Sequence, residues 1–289
     1  KLKSRNPHIK VLAALGGWTW SSGFSDAALP ENREAFVADC IDKLILGNIP
    51  YDANSNTGGT GSAAGVFDGI DIDWEYPVCC GLGSNYRPQD KQNYTALLAE
   101  FRSQLDQIDP ELLLTIAAPA GPHNIVNHEL EKFPQYLDFI NLMTYDYHGS
   151  WDVRTGFLAP MYRDPNDPLA QSGWSMDETV QTYLNQYGIP KDKLVLGLPF
   201  YGRSWTGVTP GPDGDGLYQS STGAGPGERD EPGMLNYSTI MSRYAPTYSK
   251  YYNNETREPW LYDGTNFITY DDPTAIAEKA RYIVQEDLA

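Results

Sequence analysis

The chain has 289 residues, 40% of them apolar, enough to build one large domain or two ordinary ones around a substantial core. Acidic residues number 38 against 21 basic ones, for a formal charge of −17. Such a surface repels phosphate backbones and anionic lipid, which argues against nucleic acid as a partner, and no apolar run approaches the roughly 18 residues of a membrane span. A neutral substrate is not penalised.

IKVLAALGG (9–17) is a short apolar run ending in glycines and reads as a buried strand. Residues 31–47 carry helical periodicity through Phe36, Cys40 and Leu44, with Gly47 as the stop. A Gly/Ser/Asn-rich stretch over 50–65 has no apolar period and reads as a loop. VFDGIDIDWEYP follows as a strand closed by proline. Residues 88–107 form an amphipathic helix whose apolar stripe is Tyr94, Leu97, Leu98, Phe101 and Leu105. LLLTIAAPA (112–120) is a strand, a short helix is expected near 126–134, and LDFINLMTYD (137–146) is the next strand. MDETVQTYLNQYG (176–188) is a helix ending at Gly188, and KLVLGLPFYG (193–202) is the fifth strand. Residues 204–270 break this rhythm: they are rich in Gly, Pro and Tyr, with β-like pieces (WLYD, FITYD) and a helix-like stretch at 236–245. A closing helix over 271–287 is opened by a DDPT cap. Strands alternating with helices predict a parallel sheet wrapped in helices.

Cys40, Cys79 and Cys80 are the three cysteines, and no CxxC or Cys/His cluster points to zinc. A bridge from Cys40 to Cys79 or Cys80, or three unpaired thiols, are both open. Sequons occur at Asn93, Asn236 and Asn254. The chain starts at KLKSRNPHIK, without Met or a signal peptide, so a processed or trimmed product is expected. The 20 Tyr and 7 Trp serve mostly as packing, and beside Gly-rich turns they also suit stacking on the C–H faces of sugar rings.

DGIDIDWE (68–75) sets four carboxylates among large apolar groups. Side chains alternate faces on a strand, so Asp71, Asp73 and Glu75 project to one side and Ile70, Ile72 and Trp74 to the other. Successive carboxylates on one face then stand about 7 Å apart. A strand within a β/α series is covered on both faces, where carboxylates are costly unless they share protons and hydrogen bonds. Such a cost marks a functional site. An exposed edge strand or a calcium site would be the bland explanation; the 12-residue calcium loop is absent. Asp68 has the other parity and suits a hydrogen bond at the strand start. Glu75, nearest the strand's C-terminal end, is placed to act as a general acid beside Asp73, because two close carboxylates cannot both ionise cheaply.

FDGIDIDWEYP resembles the DGxDxDxE signature of family 18 glycoside hydrolases, the chitinases. LGGW (15–18), LMTYDYHG (142–149) and GLPFYGRSW (197–205) resemble the ends of that family's third, sixth and seventh barrel strands, in the same order. The resemblance implies an α/β chain with a (β/α)8 TIM barrel over 1–203 and 271–289, and a small α+β insertion over 204–270. It implies that Glu75 protonates the scissile oxygen and that the substrate's own 2-acetamido group, not a carboxylate, attacks. Asp73 stabilises that group, Asp71 shares a proton with Asp73, Tyr145 holds the acetamido, and Asp146 binds the distorted sugar. Met143 lines the floor, Trp18 and Trp151 stack on sugars, and Tyr201 and Arg203 meet the sugar from the insertion side. His148 makes a loop hydrogen bond. No cofactor and no metal are implied. The partner is chitin or a chitooligosaccharide, and the enzyme is a secreted monomer.

The family barrel has eight strands, and five are countable here, corresponding to strands three to seven. Strands one, two and eight are missing, so an incomplete barrel with open edges is expected, inactive or aggregation-prone alone, with the function belonging to the parent protein. A chitin-binding lectin on the same fold is disfavoured because Glu75 is present. An endo-β-N-acetylglucosaminidase is disfavoured by LGGW, WEYP and MTYDYHG.

Overall fold

The computed structural model describes residues 2–83, 85–169 and 171–289. They form two compact units: Lys1–Ala118 with His123–Asn141, and Pro119–Pro122 with Leu142–Ala289.

In the first unit, β1 (Leu12–Gly16) is followed by the helix Pro30–Leu44, which has proline in its first turn. A hairpin of β2 (Ile49–Asp52) and β3 (Thr57–Gly59) then leads to β4 (Gly69–Asp73). The helix Asp90–Asp106, β5 (Leu113–Pro119) and the start of β6 (Phe139–Met143) complete it. β4 lies between β1 and β5, parallel to both, in register from Leu12↔Gly69 and from Gly69↔Leu113. Gly69 is required at that start, because a Cβ there would stand 2.2 Å from the Leu113 carbonyl oxygen. Asp68 accepts from Val11 N at 2.8 Å and from Lys3 Nζ at 2.9 Å, which anchors the strand as its parity suggested.

Ile70 and Ile72 are fully buried on the helix-facing side of β4, and Trp74 continues that face, packed against Phe24 and Tyr94 at ring-centroid distances of 5.4 and 5.1 Å. All five residues of the stripe on the helix Asp90–Asp106 are buried. Burying side chains of this size stabilises by about 1.5–3 kcal/mol each, so the apolar half of the alternation drives the strand into place.

In the second unit β7 (Leu194–Leu196) lies beside β6. Next come β8 (Tyr201–Thr206), β9 (Gly223–Ala224), β10 (Met234–Asn236), β11 (Ser249–Asn253), β12 (Glu258–Tyr262) and β13 (Phe267–Tyr270). They form an antiparallel sheet in the order β10-β8-β13-β12-β11, with β9 beside β8. One cluster in this unit centres on Leu235, Ile240, Leu261 and Ile268, and another on Trp205, Trp260, Tyr262 and Phe267. The closing helix Pro273–Glu286 is capped by Asp272, whose carboxylate accepts from the Thr274 and Ala275 N–H groups.

The five expected parallel strands are present, and among the described residues neither β1 nor β7 has a second neighbour, so the sheet does not close. Four local expectations are corrected. The presumed loop at 50–65 contains the β2–β3 hairpin, which is exposed on β2 and so carries no alternation to detect. The short helix near 126–134 is instead one turn at Pro122–Ile125 and a 3-10 turn at Leu130–Gln135, interrupted by Pro134. The strand at 193–202 is split between β7 and β8, because Gly197 packs on the Leu142 carbonyl oxygen, where a Cβ would lie at 2.3 Å, and Pro199 cannot donate. Finally, Cys79 bonds to Cys80, and Cys40 stays a thiol on the helix Pro30–Leu44, which rules out both arrangements considered above. A bridge between chain neighbours leaves no spacing signal, and the turn around it places Val78 and Cys80 in the left-handed region. Burial pushes the Cys40 thiol up to about 11.

Lys279, on the closing helix, is wholly buried, 2.8 Å from Glu258 of β12 and 2.5 Å from Asp271. Burial and the neighbouring Asp271 hold the Glu258 carboxyl well above the usual carboxylate range. Removing the only cation from such a set strands buried charge. Lys279→Met should therefore lose about 3–5 kcal/mol in urea unfolding, and a loss near zero would contradict the arrangement.

Candidate active site

Asp71 and Asp73 share the face of β4 opposite Ile70 and Ile72. β4 pairs with β5 so that Thr115 stands directly across from Asp71, and its hydroxyl donates to Asp71 Oδ1. Asn141 Nδ2, from β6, donates to the same oxygen at 3.1 Å. Burial raises the Asp71 carboxyl, and these two donors oppose the rise. For Asp73, burial and then the charge of Asp71 push the carboxyl up to about 6, against a hydrogen bond with Glu75 that favours its ionised form. Among the described residues Asp73 Oδ1 is buried without a hydrogen-bond partner.

The end of β4 is clamped by the loop after β1. Gly17 N donates to the Asp73 carbonyl at 2.8 Å. Ser21 Oγ lies 2.8 Å from Gly17 O and 3.0 Å from Asp73 O, and accepts from Glu75 N at 2.9 Å. Gly16 has φ +103°, and a Cβ there would sit 2.2 Å from Asp73 O, so the glycines of LGGW permit this close approach. Glu75 then leaves the strand through a cis peptide to Tyr76. The loop beyond it is pinned by Asp90, which is buried and accepts from Ser25 Oγ at 2.8 Å and Arg87 N at 2.7 Å. Trp18, on the clamping loop, is 51% exposed.

The second unit holds another set. On the end of β6 and its extension Met143 and Tyr145 alternate with the buried Leu142 and Thr144. The Tyr145 ring meets the Tyr201 ring edge-on at 6.1 Å. Asp146 adopts φ +57° and receives a two-pronged contact from Arg203: Nε to Oδ1 at 2.8 Å and Nη2 to Oδ2 at 3.0 Å. Arg203 Nη1 reaches Glu231 at 2.5 Å, and its guanidinium stands 5.0 Å from the Trp151 ring and 5.4 Å from that of Tyr201. Arg203 is therefore buried and paired with two carboxylates, while the Trp151 ring beside it is 56% exposed. Burial and the adjacent Asp146 carboxylate drive the Tyr201 phenol far above its usual range, so it acts as a hydrogen-bond donor to Asp146.

These segments coincide with a family pattern: the model for Glycosyl hydrolases family 18 matches residues 1–289. The chain belongs to glycosyl hydrolase family 18. It is 38% identical over 302 residues to Chitinase A1 of Niallia circulans, a match spanning all of this chain and 40% of that protein. It is 33% identical over 296 residues to Chitotriosidase-1 of Mus musculus, spanning 99% of this chain and 58% of that protein. It superposes on the catalytic domain of the psychrophilic chitinase B from Arthrobacter TAD20 with a TM-score of 0.89 and 38% identity, covering 99% of this chain and 66% of that one. The chain thus spans less than two thirds of each of these relatives.

Within this family 18 chain Asp71 and Asp73 lie on the same side of β4 and Asp73 shares a hydrogen bond with Glu75, while Asp68, the signature's first carboxylate, anchors the strand start. Asp146, Tyr201, Arg203 and Trp151 form a second connected group. Several participants were missed in the sequence. Asn141 had a readable signal, its parity with Met143 and Tyr145. Thr115 required the β4–β5 register, and Ser21, Asp90 and Glu231 carry no local signal.

Because the folded state keeps Asp73 protonated to about pH 6 and an unfolded Asp ionises near pH 3.9, the native state binds more protons between those values. This contribution to stability is present at low pH and is lost as pH rises through about 6. Asp73→Asn never ionises and escapes that loss. The melting-temperature difference between Asp73→Asn and the unsubstituted protein should therefore grow in the variant's favour from pH 4 to pH 7, and a pH-independent difference would contradict the assignment.

Proposed function

We propose that this chain carries the catalytic machinery of a chitinase that cleaves β-1,4 links between N-acetylglucosamine units with retention of configuration. The observation that carries the reading is the strand end itself. Asp71 and Asp73 lie on the same side of β4, Asp73 shares a hydrogen bond with Glu75, the Asp73 carboxyl is raised, and among the described residues its buried Oδ1 has no hydrogen-bond partner.

In this reading Glu75 donates its proton to the glycosidic oxygen as the bond to the anomeric carbon breaks. The acetamido carbonyl oxygen of the same sugar closes onto that carbon, giving a cyclic oxazolinium ion, so no enzyme carboxylate attacks. Asp73 accepts the acetamido N–H and offsets the positive charge. Asp71 supplies the proton exchange that lets Asp73 become anionic at that moment, and Thr115 and Asn141 keep Asp71 in place. Water then opens the ring with Glu75 as base.

Tyr145 orients the acetamido group. By the family resemblance Met143, Asp146, Tyr201 and Arg203 are sugar-binding positions, and Arg203 also fixes Asp146 and stands against the Trp151 ring. Trp18 and Trp151, both about half exposed, offer flat faces to sugar rings. Among the described residues no helix is long and apolar enough to cross a membrane. The Cys79–Cys80 bond suits an oxidising compartment, in keeping with secretion.

A fluorogenic chitooligosaccharide assay on the full-length protein tests the reading. Glu75→Gln should lower turnover by about 10²–10⁴-fold while chitin binding persists. Unchanged turnover would reject Glu75 as the acid. A thiazoline mimic of the cyclised sugar should inhibit competitively, and failure to do so would argue against acetamido participation.

A further inference from the structure

His148 takes no part in the chemistry above, yet it is 2% exposed and sits between two carboxylates. Its Nδ1 hydrogen-bonds Asp152 Oδ2 at 3.0 Å, and its buried Nε2 stands 3.0 Å from Asp167 Oδ2 as an ion-pair contact rather than an aligned hydrogen bond. Neutral imidazole carries one N–H and one lone pair, so one of its two nitrogens would turn a lone pair toward a carboxylate. Two flanking acids therefore call for the imidazolium. Burial alone would lower the His148 pKa, but Asp152 and Asp167 outweigh it and lift it to about 9. The ring is also walled in, because a Cβ on Gly156 would stand 2.6 Å from His148 Cγ.

The Asp152 carboxylate that His148 grips closes a turn. Its Oδ2 also accepts from Gly149 N at 3.3 Å, and Asp152 N donates to Gly149 O at 2.9 Å. Asp152 O further accepts from the buried Trp205 Nε1 at 3.2 Å. Trp151 rides on this turn. Its ring covers Gly149 so closely that a Cβ there would be 2.2 Å away, and Arg203 stands on the ring at 5.0 Å. Backbone, carboxylate and cation together leave the indole one position with more than half its surface free.

We propose that His148 is a positioning residue: as a charged strut between Asp152 and Asp167 it fixes the 149–152 turn and so holds Trp151 as a preformed platform for an N-acetylglucosamine ring. This rests on the chitinase reading, since it assigns the sugar to that indole. A preorganised platform lowers the ordering cost of binding, so its loss appears in affinity and KM rather than in kcat.

The test is a double-mutant cycle in the full-length protein. Binding of chitohexaose is measured calorimetrically in the Glu75→Gln background, which prevents turnover, and KM and kcat are measured with Glu75 intact. His148→Asn should weaken binding about tenfold, or about 1.4 kcal/mol, and raise KM with kcat nearly unchanged. The same substitution should have almost no further effect once Trp151 is replaced by Ala, because the two act as one device. Should His148→Asn not fold, Asp167→Asn goes through the same cycle with the same expectation. Additive effects of the two substitutions, or a fall in kcat with KM unmoved, would overturn the inference. Absence of chitohexaose binding by the parent Glu75→Gln protein would instead bring down the chitinase reading, and this inference with it.

Discussion

Much of the site follows from one constraint on β4: two aspartates must share a half-buried face at the pleat's spacing because the isoleucines that alternate with them are needed in the core. Ile70 and Ile72 fix the orientation of the strand, and orientation fixes Asp71 and Asp73. Once there, the pair cannot lose both protons cheaply. The surrounding structure does not relieve that conflict fully. Thr115 and Asn141 attend to Asp71, while Asp73 keeps an oxygen with no donor. The charge of Asp71 therefore adds to burial in raising the Asp73 carboxyl, and the clamp of Gly16, Gly17 and Ser21 holds the backbone where Glu75 leaves the end of the same strand.

The second unit treats charge in the opposite way. Three pairs of acidic groups there each meet a buried cation. Arg203 serves Asp146 and Glu231, His148 serves Asp152 and Asp167, and Lys279 serves Glu258 and Asp271. In a chain of net charge −17 these few cations are placed as struts rather than as surface counterions. A buried pair of this kind adds little to net stability but is specific in geometry. It therefore suits elements that must hold a side chain, such as Trp151 or Asp146, in one attitude.

What could be read from sequence was whatever repeats locally. The period-2 alternation of DGIDIDWE disclosed both faces of β4, and the stripe from Tyr94 to Leu105 disclosed the helix behind it. Asn141 lay in plain view on the Met143–Tyr145 face. Contacts between residues distant in sequence were not legible. Thr115 opposite Asp71 depends on register, and the Asp152–His148–Asp167 array depends on a turn and a distant loop meeting. The β2–β3 hairpin was missed because β2 is exposed and so has no apolar face to announce it. The split between β7 and β8 was hidden by a continuous apolar run, although Gly197 and Pro199 marked the break.

The most direct measurement is a pH titration of the aspartate carboxyl carbons by 13C NMR in the full-length protein, with Asp71→Asn and Asp73→Asn used to assign the two resonances. The account expects the Asp73 carbon to titrate near pH 6 and to move to lower pH when Asp71 is neutralised. Independent titration of both carboxyls at the ordinary value of about 3.9, unmoved by substitution of the other, would contradict it.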